Sequence, residues 1–202
     1  MKKLYENIED INIKGGVSQL SEVIRAMDIS LQNIADNSDQ LTTYLVRYSA
    51  ANKGSQFEKV VKVSSALRDK LYQASLELND MQNQIVVYQN KIYRYEDLPE
   101  NAPAPNRYMV SRRTVTVSTS EVKFTRTDMM NIVAALRNYS ERVYHHIKTI
   151  NEKKNSIAAV WNDSQYDSFA EFIDSITSNI VEGIKVYEEY VIYLEEKIKE
   201  LN

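Results

Sequence analysis

Apolar and small residues recur at alternating steps of three and four along residues 57–95 and again along residues 166–201. This heptad spacing predicts two long helices that pack in coiled-coil fashion. The second series repeats the first at an offset of 109 residues, and only Lys197 interrupts it. The first series is Phe57, Val60, Ser64, Leu67, Leu71, Ala74, Leu78, Met81, Ile85, Tyr88, Ile92 and Tyr95. The second is Tyr166, Phe169, Ile173, Ile176, Ile180, Gly183, Tyr187, Tyr190, Leu194, Lys197 and Leu201.

A shorter heptad pattern precedes each long one, over residues 20–48 and 129–157, and predicts one further helix in each half. Hydroxyl residues stand near the expected helix starts, so Ser18 and Thr127 are predicted N-caps. Ahead of them lie two extended-looking runs, residues 11–14 and 122–125, in which Ile13 matches Val122 and Lys14 matches Lys123 at the offset of 109. Each half therefore has the same order of elements, an extended run followed by two helices.

The segments NKGSQF (52–57) and WNDSQY (161–166) separate the two predicted helices of each half. They are again 109 residues apart, and we interpret the chain as a diverged tandem duplication of a helical hairpin. The predicted fold is all-α, with two antiparallel helical hairpins forming an elongated four-helix bundle and a short extended or β-like connector. The first hairpin covers residues 1–95 with its turn near 51–55, and the second covers 122–202 with its turn near 160–164.

Residues 96–121 form the predicted linker and contain all three prolines of the chain, Pro99, Pro103 and Pro105. Proline has no N–H and restrains the residue before it, so the second helix is expected to stop near Glu96. The alternation of valines at 115 and 117 indicates an extended arm. This arm is either a connector that spans the bundle or a contact arm with Arg112 and Arg113 at its tip.

Composition fits one medium domain or two small ones. The 202 residues are 43% hydrophobic with a formal net charge of −3, and cysteine is absent. The two halves carry similar numbers of acidic and basic residues, so neither has the charge bias of a nucleic-acid binder. The first 16 residues lack the apolar core of a classical signal peptide, and no run approaches the length of a membrane span. We expect a cytoplasmic protein, or one secreted without a classical signal peptide.

A helical hairpin of about a hundred residues with a Trp-X-Gly turn resembles the WXG family of type VII secretion substrates and their chaperone-like partners. The motif is divided between the two turns. Turn two has Trp161 but Asp163 at the glycine position, and turn one has Gly54 but Asn52 at the tryptophan position. Family members commonly pair two hairpins, so this chain resembles a fused dimer. The resemblance implies contact with helical protein partners through these turn residues, with a homodimer as an alternative.

The family's export signal has the form Tyr-X-X-X-Asp/Glu, and Tyr93 with Asp97 matches it. On a helix these two residues would share a face. The long helices outlast the short ones, so the segment from Tyr88 to Tyr95 is predicted to overhang the bundle. Its aromatic rings are either fillers of a narrow seam or a contact surface for a partner.

Catalytic chemistry finds little support in the sequence. His145 and His146 are adjacent, so on one helix they diverge by about 100° and cannot share a metal. No glycine-rich phosphate loop or nucleophile motif is present. We therefore predict no catalytic, cofactor or metal residues and a non-enzymatic interaction protein associated with type VII secretion. The alternative hypothesis is a coiled-coil scaffold protein, and a less favoured one is a helical-bundle enzyme that binds a metal or ligand.

Overall fold

The structure is a computed structural model that describes residues 8–201. These residues contain four long α-helices. They are α1 (Gln19–Ser49), α2 (Ser55–Tyr95), α3 (Arg126–Ile157) and α4 (Ser164–Lys199). The predicted all-α four-helix bundle is confirmed. Residues 1–7, which are part of the segment tested for a signal peptide, and residue 202 lie outside the described part of the chain.

Each helix packs mainly against two neighbours, and all four neighbouring pairs are antiparallel. Within a hairpin, α1 lies against α2 and α3 lies against α4, while α1–α3 and α2–α4 contacts join the hairpins. The antiparallel sense of α1 and α3 follows from two contacts, Ser38 with Tyr139 and Glu22 with Lys153. Up-down-down-up order requires one long crossover between α2 and α3.

One continuous hydrophobic core runs the length of the bundle and draws on all four helices. The predicted seam positions supply most of it. The helices α2 and α4 approach closely at Gly183, because a Cβ atom built there would lie 2.8 Å from Lys70 Cδ and 3.4 Å from Leu67 Cδ1. Lys70 Nζ also donates a 2.8 Å hydrogen bond to Asn179, the residue 109 positions later. Matched positions of the two halves therefore meet at this crossing.

The connector, residues 96–125, returns along α2 from its C-terminal end to its N-terminal end. Asp28 accepts hydrogen bonds from the backbone and side-chain nitrogens of Asn106 at 3.1 and 3.0 Å. Val110 and Val115 are buried against the bundle, and Arg112 pairs with Asp69 on α2 at 3.2 Å. These contacts favour the connector interpretation over a free contact arm.

The connector is extended, as predicted, and it forms no strand within the described residues 8–201. Within residues 8–201 the β pairing is limited to two isolated bridges, Ile13 with Trp161 and Lys53 with Lys123. The alternation of valines reflects a single extended chain whose one face touches the bundle, because Val115 is buried while its neighbours are exposed.

The starts of α2 and α4 follow the 109-residue repeat, whereas the predicted N-cap residues agree less well with the structure. Helices α2 and α4 begin at Ser55 and Ser164, 109 residues apart. Thr125 rather than Thr127 caps α3, and its hydroxyl accepts a hydrogen bond from Asp128 N at 3.1 Å. The Ser18 side chain makes no cap hydrogen bond at α1. The division into duplicated units stays a prediction.

Substituting Gly183 with leucine should destabilise the bundle by about 1–3 kcal/mol. The flexible stem of Lys70 can move aside for a Cβ atom, but the further carbons of leucine would press on Leu67. The free energy of unfolding is measured by chemical denaturation. Val186→Leu, at an exposed position of the same helix, is the matched control and should be neutral. Equal stability of both variants would contradict a close crossing at Gly183.

Ionisation of Tyr139 should lower the stability of the fold at alkaline pH. Burial raises the pKa of this hydroxyl to about 12, although its hydrogen bond with Ser38 opposes the rise. The unfolded chain has a tyrosine pKa near 10, so the folded state binds the proton more tightly. Stability from this group is complete below about pH 10 and is lost as pH rises towards about 12. Tyr139→Phe should flatten this decline in pH-dependent denaturation, whereas Tyr144→Phe at an exposed position of α3 should not.

Candidate interaction sites at the two ends of the bundle

Each end of the bundle is built from one turn, the extended run before the other hairpin, and the end of a long helix. We call the turn-two end the assembly of turn 158–163, run 8–14 and the last turns of α2. The turn-one end comprises turn 50–54, run 118–124 and the last turns of α4. Backbone hydrogen bonds join run and turn at both ends, from Asn162 N to Asn12 O (2.9 Å) and from Lys53 N to Lys123 O (2.7 Å).

Asp163 organises the turn-two end. Its side chain is 6% exposed. Oδ1 accepts hydrogen bonds from the indole nitrogen of Trp161 at 2.8 Å and from the backbone N–H groups of Gln165 and Tyr166 at 3.0 and 3.2 Å. Oδ2 accepts from the Tyr88 hydroxyl at 2.8 Å and from Asn12 N at 3.1 Å. A buried carboxylate is thus satisfied by five donors, two of them at the positive end of α4.

Trp161 fills this end and has no exposed surface. Its ring stacks on Tyr88 at 5.7 Å and on Phe169 at 5.4 Å between centroids, and Tyr166 meets it edge-on at 5.8 Å. In this conformation the indole is a core group rather than a wall of an open cleft.

The predicted overhang of α2 is wrong, because the end of this helix is covered. Tyr88 is fully buried against Trp161, and Tyr93 is 6% exposed. Gln89 donates hydrogen bonds to Ser21 on α1 and to the Tyr93 hydroxyl, both at 2.8 Å. Tyr95 is different, with 80% of its surface exposed. Of the three tyrosines, Tyr95 alone presents its ring to solvent.

The predicted Tyr93–Asp97 pair does not share a helix face. Helix α2 ends at Tyr95, and Asp97 lies beyond it with a φ of 53°. The left-handed backbone at Asp97 turns the chain away from the helix axis. Tyr93 and Asp97 therefore have the sequence spacing of the export signal, but they do not lie on one helix as expected.

Turn one places Asn52 and Gly54 differently from their counterparts. Asn52 is fully buried, and its Nδ2 donates to Tyr48 O at 3.1 Å, while its Oδ1 has no partner among the described residues. Gly54 stands before α2 with a φ of 105°, which strongly favours glycine, and gives the helix no side-chain cap.

A cavity of about 300 Å³ opens at the turn-one end. The sequence analysis did not predict this cavity. The apolar residues Val122 and Phe124 in the extended run before α3 were the available sign of an apolar surface there. These two residues are 79% and 44% exposed. The apolar walls of the cavity comprise Phe57, Val122, Phe124, Met129, Leu194 and Ile198. Charged groups at its rim include Lys53, paired with Glu121, and Lys197, paired with Glu200.

The histidines stand away from both ends. His145 and His146 meet edge-on at 5.4 Å between ring centroids, and burial lowers the pKa of His146, with a further contribution from His145. Across residues 8–201, no group of three histidine, aspartate or glutamate side chains is placed to hold a metal ion. In the same residues, no helix is both long and apolar enough to cross a membrane.

No protein-family model and no curated protein matches this chain. Among solved structures, the chain is similar to an archaeal Dps homologue from Halobacterium salinarum, with 13% identity and a TM-score of 0.34. The match covers 96% of this chain and 91% of the archaeal one. A likeness this distant supports no statement about what this protein does.

Asp163→Ala should cost about 3 kcal/mol or more of stability, because five donors lose a buried acceptor. Asp163→Asn should cost less, since an amide oxygen can keep one set of these bonds. Asp167→Asn is the matched control, an exposed aspartate in the same helical turn, and should cost less than about 1 kcal/mol. Denaturant titration measures all three. If Asp163→Ala left the free energy of unfolding unchanged, the carboxylate would not be what holds this end together.

Proposed function

We propose that the protein is a non-enzymatic interaction protein of a type VII secretion system, acting as a secreted factor or as the partner of a larger substrate. The observation that carries the proposal is the Trp-X-Gly motif divided between the turns of two hairpins in one four-helix bundle. In the WXG family that the sequence resembles, two hairpins commonly pair. A fused pair would need no second copy to complete its bundle, and its outer surface would be available for other proteins.

Tyr95 is the aromatic residue of the predicted contact segment that is free to meet a partner. Leu98 follows it and is 43% exposed. Tyrosine is enriched at protein interfaces because its ring supplies apolar area and its hydroxyl a hydrogen bond. Trp161, Tyr88 and Tyr93 support the fold of the same end from inside. We therefore assign the partner contact to Tyr95 and a structural role to the other three rings.

Replacing Tyr95 with alanine should weaken a partner complex about 30-fold, corresponding to about 2 kcal/mol for an aromatic anchor. The protein is tagged in its native organism, and the proteins that co-purify with it are quantified and titrated. Tyr144→Ala is the matched control, since Tyr144 is 49% exposed on α3, and it should bind like the wild type. Circular dichroism checks that each variant is folded.

Secretion is tested in parallel by deleting the membrane ATPase of the system. The proposal expects the protein or its partner to disappear from the culture medium. If export and complex formation are both unaffected, the scaffold interpretation replaces the secretion one. If a partner is bound but Tyr95→Ala has no effect, the contact residue is wrong and the interaction function stands.

A further inference from the structure

We propose that the cavity at the turn-one end binds an aromatic side chain of a partner protein, presented with a carboxylate about two residues along the partner's chain. This inference rests on the proposed interaction function and names the kind of segment that a partner would supply. Its site lies at the opposite end of the bundle from Tyr95.

The turn-two end is filled by the chain's own side chains and provides the comparison for the open turn-one end. Three groups fill it, the indole of Trp161, the carboxylate of Asp163 and the phenol ring of Tyr88. The corresponding positions at the turn-one end, at the offset of 109, are Asn52, Gly54 and Lys197. The turn-one end thus lacks two rings and one carboxylate, and two of these three positions, Gly54 and Lys197, line the cavity.

The missing carboxylate leaves the start of α2 without the cap that α4 has. At α4, Asp163 accepts from the N–H groups of Gln165 and Tyr166. Gly54 has no side chain to accept from the matching N–H groups of Gln56 and Phe57. Both Gln56 and Phe57 line the cavity, so a carboxylate delivered there would meet a helix N-terminus.

Size and polarity of the cavity fit an aromatic ring. Its volume of about 300 Å³ exceeds the roughly 150 Å³ that suffices for benzene in an engineered protein cavity. Val122 and Leu201 at its edge are 79% and 52% exposed, so apolar surface remains for an occupant to cover. The charged residues that line the cavity are two lysines, Lys53 and Lys197, and one acidic residue, Glu200. This balance favours a segment that carries negative charge.

The occupant is another protein rather than the chain's own tryptophan. Trp161 is fully buried at the far end of the bundle and is bonded to Asp163, so a second copy cannot present it. The segment around Trp161 nevertheless has the required chemistry when it is separated from the fold. A synthetic peptide of residues 158–167 (AAVWNDSQYD) is therefore a suitable probe.

The test titrates this peptide into the isotope-labelled full chain and follows backbone and methyl NMR signals. Signals of Gly54, Met129 and Leu194 should shift, whereas those of the turn-two end should not. A peptide with alanine in place of tryptophan should bind at least about tenfold more weakly, and one with asparagine in place of the first aspartate should also be weakened. An absence of shifts at millimolar peptide, or shifts confined to other surfaces, would overturn the proposal.

Two variants of the protein make the test specific. Val122→Asp places a charge at the mouth of the cavity and should reduce peptide affinity at least about tenfold. Val186→Asp, an equally simple change at an exposed valine of α4, should leave the affinity unchanged. Both positions are largely exposed, so both variants should fold, and circular dichroism checks this. Equal affinities for the two variants would overturn the assigned site.

Self-association is the competing occupant. Tyr95 is exposed and Asp97 follows it at the same spacing as Trp161 and Asp163. If sedimentation shows concentration-dependent assembly that Tyr95→Ala and Val122→Asp each abolish, a second copy fills the cavity and the assignment to another protein is overturned. Failure of the peptide test would leave co-purification and export unchanged, so the proposed function and this inference can fail separately.

Discussion

A single buried carboxylate joins four separate segments of the chain. Asp163 holds the N-terminal run through Asn12, the end of α2 through Tyr88, turn two through Trp161 and the first turn of α4 through two backbone N–H groups. Burying a charge is costly unless its hydrogen bonds are satisfied. The positions of the surrounding rings are therefore restricted to those that keep all five donors in place. This requirement explains why the turn-two end is closed and filled with aromatic side chains.

The opposite end has the same construction without that carboxylate. A run crosses a turn there too, and apolar residues line the space, but Gly54 brings no acceptor and Asn52 brings no ring. The end is consequently open, with exposed apolar side chains at Val122 and Phe124. One end of the bundle is thus a filled core and the other has an open, largely apolar cavity, although both are assembled from the same kinds of elements.

Sequence periodicity predicted the four helices and the starts of α2 and α4 because local burial repeats with the helix. It failed for the end of α2, where Tyr88 and Tyr93 were assigned to an overhang. Tyr88 is covered by Trp161, and Tyr93 accepts a hydrogen bond from Gln89, which also bonds to Ser21 on α1. The contacts with Trp161 and Ser21 do not follow from spacing within one helix. The alternating valines of the connector predicted an extended segment but could not distinguish it from a strand, because one-sided burial of a lone chain has the same pattern. The cavity could not be predicted, since its walls come from α2, α3, α4 and the connector, which meet only in the fold, beside a position (Gly54) that has no side chain.

The contact of each run with the other hairpin's turn also determines when the protein can fold during synthesis. Asn12 and Asp163 are joined across 151 residues, so the first run has no partner until most of the chain has left the ribosome. The first hairpin emerges with Tyr88 uncovered, because the indole that stacks on it is made some seventy residues later. Contacts of such long range slow folding and leave apolar surface exposed in the meantime. The nascent first hairpin therefore exposes the apolar face of Tyr88 until turn two is synthesised.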